Sequence, residues 1–423
     1  MTPLRVCVDA RLGSGLSGGV EQVVIGLAAA LSRLEDGDEE FLFLAHPKHD
    51  EWIRPYMKGR CRLLHSKLEY PGQPGALRAL RRAARERAPF ISERRRFVPG
   101  SDGTIEQAGV DLMHFTFQEA FLTEVPSIYQ PHDLQHLHLP ELFSERERRR
   151  REIVYRTHCA RAALVIAMTS WGKHDLIDRY ELAPDKIAVV SWGSVLSEYP
   201  APSPSELSAL RSQLSLPEAF ALYPAQTWPH KNHLRLLEAI ALLRDQHGLT
   251  IPVVCPGQKN RFYAEVAARA RELGLERTTW FPGFLDPTEL RGLYGLARLL
   301  VFPSRFEGWG LPVCEAFTEG LPVASSSAAG LPDLVGDAGL LFDPDDTEQI
   351  ADRIAPLWRD PGLRDELRER GRRRAPRFSF DHSARLFRAH YRRLAGKRLS
   401  EEERILLNDP PPAEARRPAR FQD

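Results

Sequence analysis

The sequence predicts an α/β protein with two parallel-sheet domains in tandem. Short apolar runs rich in β-branched residues alternate with longer helical patterns over most of the 423 residues, which is typical of βαβ units around a parallel sheet. A proline-rich segment at 199–205 interrupts this alternation, which then restarts. A single hydrophobic core rarely grows beyond about 250–300 residues, so the length of the chain also favours two domains.

Composition and charge exclude several other classes of protein. The 58 basic and 57 acidic residues give a net charge of +1, which argues against a protein that mainly coats nucleic acid or an anionic surface. No apolar run approaches the roughly 18 residues of a membrane-spanning helix, and the N-terminus enters a strand pattern without the apolar segment of a signal peptide. The five scattered cysteines contain no CxxC pair, so neither a disulfide framework nor a cysteine zinc site is supported. We therefore expect a cytoplasmic protein.

The first predicted domain, residues 1–198, begins with a strand and contains seven strand patterns with helical patterns between several of them. Examples of the helical patterns are Gly19–Ser32, Ser144–Ala162 and Ser170–Tyr180. The predicted strands are Leu4–Asp9, Phe41–Ala45, Arg62–His65, Val110–Phe115, Ser127–Gln130, Leu164–Ala167 and Ile187–Ser191.

The second predicted domain, residues 199–378, opens with a linker at Tyr199–Ser205, because proline lacks an N–H group and holds the preceding residue extended. A capping box with proline at the first helical position begins a helix at Asp286. Residues 379–396 are predicted to form a last helix, and 397–423 a disordered, charged and proline-rich tail. The predicted strands are Phe220–Pro224, Pro252–Cys255, Thr278–Phe281, Leu299–Phe302, Val323–Ser325 and Gly339–Phe342.

A basic stretch stands out in the first domain. Eight arginines lie between Arg78 and Arg96, against only Glu86 and Glu93. One interpretation is a solvated helix and loop. The other is a patch that contacts an anionic membrane or a lipid phosphate.

A glycine-rich turn follows the first strand. Residues 13–18 match the GxGxxG dinucleotide pattern, but three residues separate the turn from the strand, and the second strand ends in Leu44-Ala45-His46 without the acid that binds ribose in NAD proteins. We therefore discount NAD. Small residues in such a turn, Gly18 and Gly19 among them, still allow backbone N–H groups to approach a phosphate or a sugar.

A lysine follows the first strand of the second domain, in the segment Thr227–Asn232. Asn232 is predicted to cap the following helix, which would place Lys231 at the positive end of that helix and at the carboxyl edge of a parallel sheet. A positive charge at this edge of the sheet, beside a helix N-terminus, is what the binding of a diphosphate requires. An ordinary solvated surface lysine is the alternative.

Two glutamates lie in the segment Phe302–Glu315, where a strand ends, a glycine loop follows and Pro312 opens a helix. The N–H groups of Gly310, Leu311 and Val313 are predicted to face phosphate oxygens. Glu315, expected in the first helical turn, suits a bidentate hold on a ribose diol. Glu307 can face the same cleft, or it is a surface or capping acid.

Three histidines follow the strand Ser127–Gln130 in the spacing His132-x3-His136-x-His138. No cluster of further carboxylates or cysteines accompanies them, so a metal site is not favoured. His132, at the carboxyl end of a strand, is a better candidate for sugar binding or proton handling.

These segments together resemble the retaining nucleotide-sugar glycosyltransferases of family 4. The resemblance rests on the Glu-x7-Glu pattern of Glu307 and Glu315 with the following segment GLPVASSSAAGLPDLVGDAGLLFDPDD at 320–346. It also rests on WPHKN at 228–232, on GGVEQ at 18–22 and on HDLQHLHLPELFS at 132–144. It implies the GT-B fold, in which two Rossmann-like, doubly wound parallel-sheet domains face a central cleft. The N-terminal domain would then bind the acceptor and the C-terminal domain the donor, and the last helix would cross back to the first domain.

The resemblance also implies roles for individual residues. Glu315 would hold the ribose, Glu307 the donor sugar, and Lys231 the diphosphate. His132 would lie at the reaction centre, and Thr169, which opens the helix after the ALVIAM strand, near the phosphates. Departure of the diphosphate would be stabilised by Lys231 and helix-start amides, without a bound metal or a cofactor other than the nucleotide-sugar donor.

One departure from the family pattern leaves a question open. The family usually carries an arginine before the lysine or a few residues upstream, where this chain has His230, Gln226 and Ala225. Arg261 or Arg305 would supply the missing charge, or the charge is weaker. The resemblance implies a transferase that moves a sugar from a GDP- or UDP-linked donor to a glycan or lipid-linked acceptor in bacterial surface polysaccharide synthesis. A non-catalytic nucleotide-sugar-binding subunit and a GT-B phosphorylase or epimerase are the alternatives.

Overall fold

The computed structural model describes residues 2–13, 18–68 and 97–409, which form two compact units. The first unit comprises the described residues of Met1–Met168, Gly172–Trp192 and Phe380–Pro411. The second unit comprises Thr169–Trp171 and Gly193–Ser379. Each unit is built on a parallel β-sheet with helices between most pairs of successive strands.

The first unit has a seven-stranded parallel sheet in the order β3-β2-β1-β4-β5-β6-β7. The order reverses between β1 and β4, which makes their carboxyl ends the switch point of this sheet. The strands are β1 Leu4–Asp9, β2 Glu39–Ala45, β3 Cys61–His65, β4 Leu112–Phe115, β5 Ser127–Tyr129, β6 Leu164–Ala167 and β7 Ile187–Val189. The helices are α1 Gly19–Ser32, α2 Thr104–Gln107, α3 Gln135–His138, α4 Glu145–Arg161 and α5 Ser170–Tyr180, the first two residues of which are grouped with the second unit.

The second unit has a six-stranded parallel sheet in the order β10-β9-β8-β11-β12-β13, with its switch point between β8 and β11. The strands are β8 Ala221–Leu222, β9 Val253–Pro256, β10 Thr279–Gly283, β11 Leu299–Phe302, β12 Val323–Ser326 and β13 Gly339–Phe342. The helices are α6 Pro204–Gln213, α7 His233–His247, α8 Tyr263–Glu272, α9 Pro287–Leu296, α10 Leu311–Glu319, α11 Leu331–Val335, α12 Thr347–Arg359 and α13 Pro361–Arg374.

The strand pattern of the sequence predicts each of these thirteen strands to within two residues at either end. The reason is burial on both faces. A parallel strand covered by helices on both sides reads as a continuous apolar run, and β6, β11 and β12 are buried at every position.

The sequence misjudged two segments between and after the domains. The predicted linker at Tyr199–Ser205 ends early, because Ser203 forms a capping box with Glu206 and Pro204 occupies the first position of α6. The predicted disordered tail contains helix α15, Glu401–Asn408, whose capping box joins Ser400 and Glu403. Both helices begin with a capping box beside proline or charged residues, whose composition by itself favours irregular structure.

The C-terminal helix α14, Phe380–Leu394, packs against α1 within the first unit. Gly26 allows the close approach, because a Cβ atom there would lie 2.3 Å from the Phe380 ring. Arg392 of α14 lies between two buried carboxylates, those of Glu39 and Glu403. Among the described residues, no helix combines the length and apolar character needed to cross a membrane.

Candidate donor site and its relatives

The loops that follow β8 and β11 meet at the switch point of the second unit, which is where open α/β sheets bind ligands. Lys231 ends a short 3-10 turn, Pro229–Lys231, after β8. Glu307 lies in the loop after β11. Lys231 Nζ donates to Glu307 Oε1 at 2.6 Å, and the two side chains are 20% and 15% exposed. The geometry therefore joins the two candidates that are 76 residues apart in sequence.

Asn232 does not cap helix α7, contrary to the sequence prediction. It adopts a left-handed conformation with φ of 62°, and its side chain makes no capping hydrogen bond. Its amide instead donates to Pro303 O at 3.0 Å and Pro344 O at 2.6 Å. Asn232 thus ties the loop after β8 to the loops after β11 and β13, and Tyr223 reinforces the arrangement by donating from its hydroxyl to Lys231 O at 2.5 Å.

Helix α10 starts at Leu311, with Gly310 before it and Pro312 at its second position. One predicted phosphate ligand is wrong, because the Val313 N–H group donates to Gly310 O at 2.9 Å within the first turn. Gly310 and Leu311 keep their predicted places at the helix start, at the end of the loop that carries Glu307. A Cβ atom at Gly310 would lie 2.9 Å from Leu331, so a glycine is what lets α11 pack this closely.

Glu315 is the fifth residue of α10 and so lies beyond the first turn where the sequence placed it. Its carboxylate is buried and accepts a hydrogen bond from Tyr294 Oη of α9 at 2.6 Å. Burial raises the pKa of Glu315 to about 7, the Tyr294 hydrogen bond opposes this rise, and the charge of Glu319 adds to it. A buried acid that titrates near neutral pH is a recurrent property of ligand-binding sites.

The first unit brings three loop ends together at its own switch point. His132, after β5, donates from Nε2 to Thr116 O, after β4, at 2.8 Å. Thr116 in turn donates from its hydroxyl to Asp9 O at the end of β1, at 2.6 Å. Because Nε2 carries the proton, Nδ1 of a neutral imidazole carries the lone pair.

The backbone of His132 is also unusual. Its φ of 68° lies in the left-handed region, which costs a non-glycine residue about 1–3 kcal/mol. Burial lowers the pKa of the imidazole, which favours the neutral form, while the bond to Thr116 works in the opposite direction. The ring edge lies against Trp192 at 4.8 Å between centroids. His132 thus combines a strained backbone after the end of a strand with an imidazole that favours its neutral form. Both properties are typical of a functional residue and are not needed for packing.

The other two histidines of the motif point to separate carboxylates. His136 Nε2 donates to Glu152 at 2.9 Å, and His138 Nε2 donates to Asp175 at 2.8 Å. The three imidazoles therefore do not converge. Within 2–13, 18–68 and 97–409, no group of three or more histidine, cysteine or acidic side chains is arranged to hold a metal.

Two family models match the chain in succession. The model described as "Glycosyltransferase Family 4" matches residues 17–195, and the model described as "Glycosyl transferases group 1" matches residues 209–374. The second match includes both members of the Lys231–Glu307 pair and Glu315. The chain belongs to the family 4 glycosyltransferases.

Curated relatives and solved structures agree with this assignment. The chain is 31% identical over 224 residues to "O-antigen chain mannosyltransferase B" of Escherichia coli, covering 52% of this chain and 58% of that protein. It is 30% identical to "D-inositol 3-phosphate glycosyltransferase" of Corynebacterium jeikeium, covering 62% of this chain and 65% of that protein. The match thus spans less than two thirds of the length of either relative. The structure of Anabaena HepE in complex with UDP and glucose aligns over 92% of this chain and 99% of that one, with a TM-score of 0.67 and 20% identity. The fold is GT-B.

One segment of this family 4 glycosyltransferase was not singled out from sequence as part of the site. Gly330 N donates to Glu307 O at 3.2 Å, and a Cβ atom at Gly330 would lie 2.8 Å from Gly308 O and 3.0 Å from Thr169 Oγ1. Thr169 is buried directly before α5. Three loop segments therefore converge on a position that has room only for glycine. The dipeptide Ala329-Gly330 between β12 and α11 was the available sequence signal.

The structure also bears on the missing arginine of the family pattern. Arg305 Nε lies 3.3 Å from Asp345, after β13, so its charge is already partly compensated. The backbone N–H of Arg305 donates to His230 O at 2.8 Å, which links its loop to the loop of Lys231. Arg261 is exposed and follows Asn260, whose side chain accepts from Thr227 Oγ1 at 3.0 Å. The assignment of either arginine as the additional cation stays a prediction.

The glycine-rich turn of the first unit is described only at its two ends. Gly18 precedes α1 with φ of 54° and ψ of −130°, a conformation that side-chain-bearing residues rarely adopt, and Gly19 begins the helix. Residues 14–17 of the turn lie outside the described residues. The arginine-rich stretch from Arg78 to Arg96 also lies outside them.

Proposed function

We propose that this family 4 glycosyltransferase moves a sugar from a nucleoside-diphosphate sugar, GDP- or UDP-linked, to a glycan or lipid-linked acceptor in bacterial surface polysaccharide synthesis. The observation that carries the proposal is the 2.6 Å ion pair between Lys231 and Glu307 at the switch point of the second unit. The similarity to an O-antigen chain mannosyltransferase supports a polysaccharide product, with mannose as the first sugar to test.

The ion pair has a direct use in donor binding. Before the donor arrives, Glu307 compensates the Lys231 ammonium, so neither charge stands alone in a partly buried site. The diphosphate then replaces Glu307 as the partner of Lys231. The freed carboxylate becomes an acceptor for hydroxyl groups of the donor sugar, while Gly310 and Leu311 offer backbone N–H groups to the phosphates.

The reaction we propose retains the anomeric configuration and needs no metal. The bond between the anomeric carbon and the β-phosphate oxygen breaks, and a bond from the same carbon to the acceptor oxygen forms on the same face. The departing phosphate oxygen takes the proton of the acceptor hydroxyl, and Lys231 stabilises the charge that develops on the diphosphate. His132 is proposed to contact the transferred sugar, and Thr169 to lie near the phosphates.

A two-stage experiment tests the proposal. A thermal-shift screen of the full chain against UDP, GDP, ADP and CMP identifies the nucleotide, because a ligand that binds only the folded state raises stability by RT ln(1 + [L]/Kd). Donors with that nucleotide are then assayed for transfer to polysaccharide acceptors in EDTA, with NMR of the product linkage. We expect a retained linkage and full activity in EDTA. Donor breakdown or epimerisation without an acceptor, or activity that returns only with manganese, contradicts the proposal.

Contact with an anionic membrane is a separate part of the proposal, and it rests on the arginines from Arg78 to Arg96 in the sequence alone. Each basic residue near an anionic surface contributes about 1 kcal/mol, with screening over about 8 Å at physiological salt. We expect the chain to float with anionic liposomes at low salt and to dissociate at high salt. Failure to bind anionic vesicles at low salt means that this stretch is only a solvated surface.

A further inference from the structure

A buried tyrosine is the hydrogen-bond donor to the carboxylate that is proposed to hold the ribose. Tyr294 is 1% exposed and lies on α9, whose start is fixed by the capping box of Asp286. Its hydroxyl lies 2.6 Å from Glu315 Oε2 and 3.3 Å from Pro312 O. A phenol has one proton, and the charged acceptor at the shorter distance takes it.

We infer that Tyr294 is a positioning residue for the donor: its hydroxyl fixes Glu315 so that the carboxylate meets both hydroxyl groups of the ribose. The inference rests on the proposed function, in which Glu315 holds the ribose. Without a fixed donor, the glutamate side chain would be free to change rotamer, and a bidentate contact with a diol requires one orientation of the carboxylate plane. Tyr294 bonds to Oε2 and leaves lone pairs on both oxygens for the ligand.

The charged and titratable surroundings of Glu315 make this tyrosine more important. Helix α10 packs against α9, α11, α13, β11, β12 and the turn Ala375–Phe378. Strands β11 and β12 contribute no titratable side chain. The titratable side chains of the other elements are Glu289, Arg291 and Tyr294 on α9, Cys314 and Glu319 on α10, Asp333 on α11, Arg364, Asp365, Glu366, Arg368, Glu369, Arg370, Arg372, Arg373 and Arg374 on α13, and Arg377 in the turn.

Of these groups, Tyr294 and Glu319 act on Glu315 in opposite directions. Burial and the charge of Glu319 raise the pKa of Glu315, whereas the Tyr294 hydrogen bond lowers it. Glu319 is itself paired with Arg291 at 2.9 Å. Tyr294 is thus the group that favours the ionised form, and the ionised form accepts hydrogen bonds from a diol. Removal of its hydroxyl should affect both the orientation and the charge of Glu315.

The test compares Tyr294→Phe with a matched control, Tyr180→Phe. Tyr180 also donates to a glutamate, Glu152, at 2.7 Å, but both residues belong to the first unit. Binding of UDP and 2′-deoxy-UDP, and of GDP and 2′-deoxy-GDP, is measured between pH 5 and 9. We expect Tyr294→Phe to lose most of the preference for the ribonucleotide, to weaken its binding about tenfold, and to move the pH midpoint of binding upward. Tyr180→Phe should match the wild type.

The outcomes separate this inference from the proposed function. If the wild type does not discriminate ribose from deoxyribose, or if Glu315→Ala discriminates equally well, the ribose contact proposed for Glu315 is wrong, and the inference with it. If Glu315→Ala loses discrimination but Tyr294→Phe keeps both the discrimination and the midpoint, only the role of Tyr294 is wrong. Should Tyr294→Phe not fold, 3-fluorotyrosine placed at position 294 gives a stronger donor of nearly the same size. It must then move the midpoint downward, and an unchanged or raised midpoint overturns the inference.

Discussion

Each unit contains a glutamate that accepts a hydrogen bond from a buried tyrosine, yet the two carboxyl groups have opposite pKa shifts. In the first unit, Glu152 accepts from Tyr180 at 2.7 Å, His136 at 2.9 Å and Arg156 at 2.9 Å. Burial raises its pKa, but these three donors outweigh burial and lower the pKa to about 2. In the second unit, Glu315 has Tyr294 as a donor and Glu319 as a repelling neighbour, and its pKa rises to about 7.

The difference shows that the number of hydrogen-bond donors around a buried glutamate decides whether its pKa is lowered or raised. Glu152 has enough donors to stay ionised at any physiological pH, so its hydrogen bonds join α3, α4 and α5 of the first unit and leave little capacity for a ligand. The ionised form of Glu315 is stabilised by the hydrogen bond from Tyr294, and this bond does not offset the cost of burying the charge. Hydroxyl groups from a ligand would supply the missing donors. The same tyrosine–glutamate contact is therefore structural in one unit and suited to binding in the other.

The largest effect on binding is expected at Lys231, which pairs with another carboxylate of the second unit, Glu307. Lys231→Ala should weaken binding of the nucleoside diphosphate about ten- to hundredfold, because a charged hydrogen bond contributes roughly 1.5–3 kcal/mol. Turnover should fall as well. Isothermal titration calorimetry and initial rates measure the two effects.

Two further variants control for that result. Lys186→Ala removes a lysine that donates to Ala160 O in the first unit and should bind nucleotide normally. Adding Glu307→Gln to Lys231→Ala should recover part of the affinity for the diphosphate, since an unpaired carboxylate no longer repels it. Wild-type affinity in folded Lys231→Ala would remove Lys231 from the donor site.

The second effect concerns the ribose. Glu315→Ala should reduce the preference of the protein for a ribonucleoside diphosphate over its 2′-deoxy form by about tenfold, because a site built to bond a hydroxyl group loses its selectivity when the acceptor is removed. Competition binding with both nucleotides measures the ratio. Glu152→Ala, the equivalent change in the first unit, should lower stability and leave the ratio intact. A ratio that changes in both variants would mean that loss of packing, not a ribose contact, explains the result.

The third effect is a pH dependence of stability that differs between the two glutamates. Because the pKa of Glu152 is lowered on folding, its contribution to stability is complete above about pH 4.5 and is lost as the pH falls towards 2. Glu152→Gln should therefore lower the unfolding free energy at pH 7 by about 1 kcal/mol, after allowance for partial exposure. The difference from wild type should vanish near pH 2.

Glu315 should behave in the opposite way. Its raised pKa means that its contribution to stability is complete below about pH 4.5 and is lost as the pH rises towards 7. Urea denaturation of Glu315→Gln and wild type over this range measures it. If both glutamates showed the same slope with pH, the contrast between the units would not hold.

The sequence predicts the positions of these groups better than it predicts their contacts. Strand ends and helix starts are local signals, so the loops that carry Lys231, Glu307 and Glu315 are found where the apolar runs stop. The partners of these groups are not local. Tyr294 lies 21 residues before Glu315 on a different helix. In the sequence it is one of the apolar residues spaced along the buried face of that helix, which indicates an ordinary aromatic residue of the core.

At Asn232, the sequence predicts the wrong partner for a side chain. An asparagine before an amphipathic helix favours a capping interaction in local terms. The tertiary structure instead offers it two carbonyl groups, Pro303 O and Pro344 O, from loops more than 70 residues away. The local preference of asparagine for helix capping is overridden here, because the buried amide group can donate to two backbone carbonyl oxygens at once. Family resemblance supplied candidate roles at the site, but not the hydrogen bonds that hold the residues in place.

The smallest effect is expected at Glu319, and it tests why the two glutamates differ. If the scarcity of donors and the nearby negative charge keep the pKa of Glu315 high, Glu319→Gln should move the pH midpoint of nucleotide binding downward. Arg291 already compensates part of the charge of Glu319, so the shift should be smaller than that of Tyr294→Phe and opposite in sign. Binding titrations of the same nucleotide at closely spaced pH values measure both shifts. A midpoint that rises in Glu319→Gln would show that Glu319 acts on Glu315 by holding its helix in place, and the electrostatic account of the contrast with Glu152 would then be wrong.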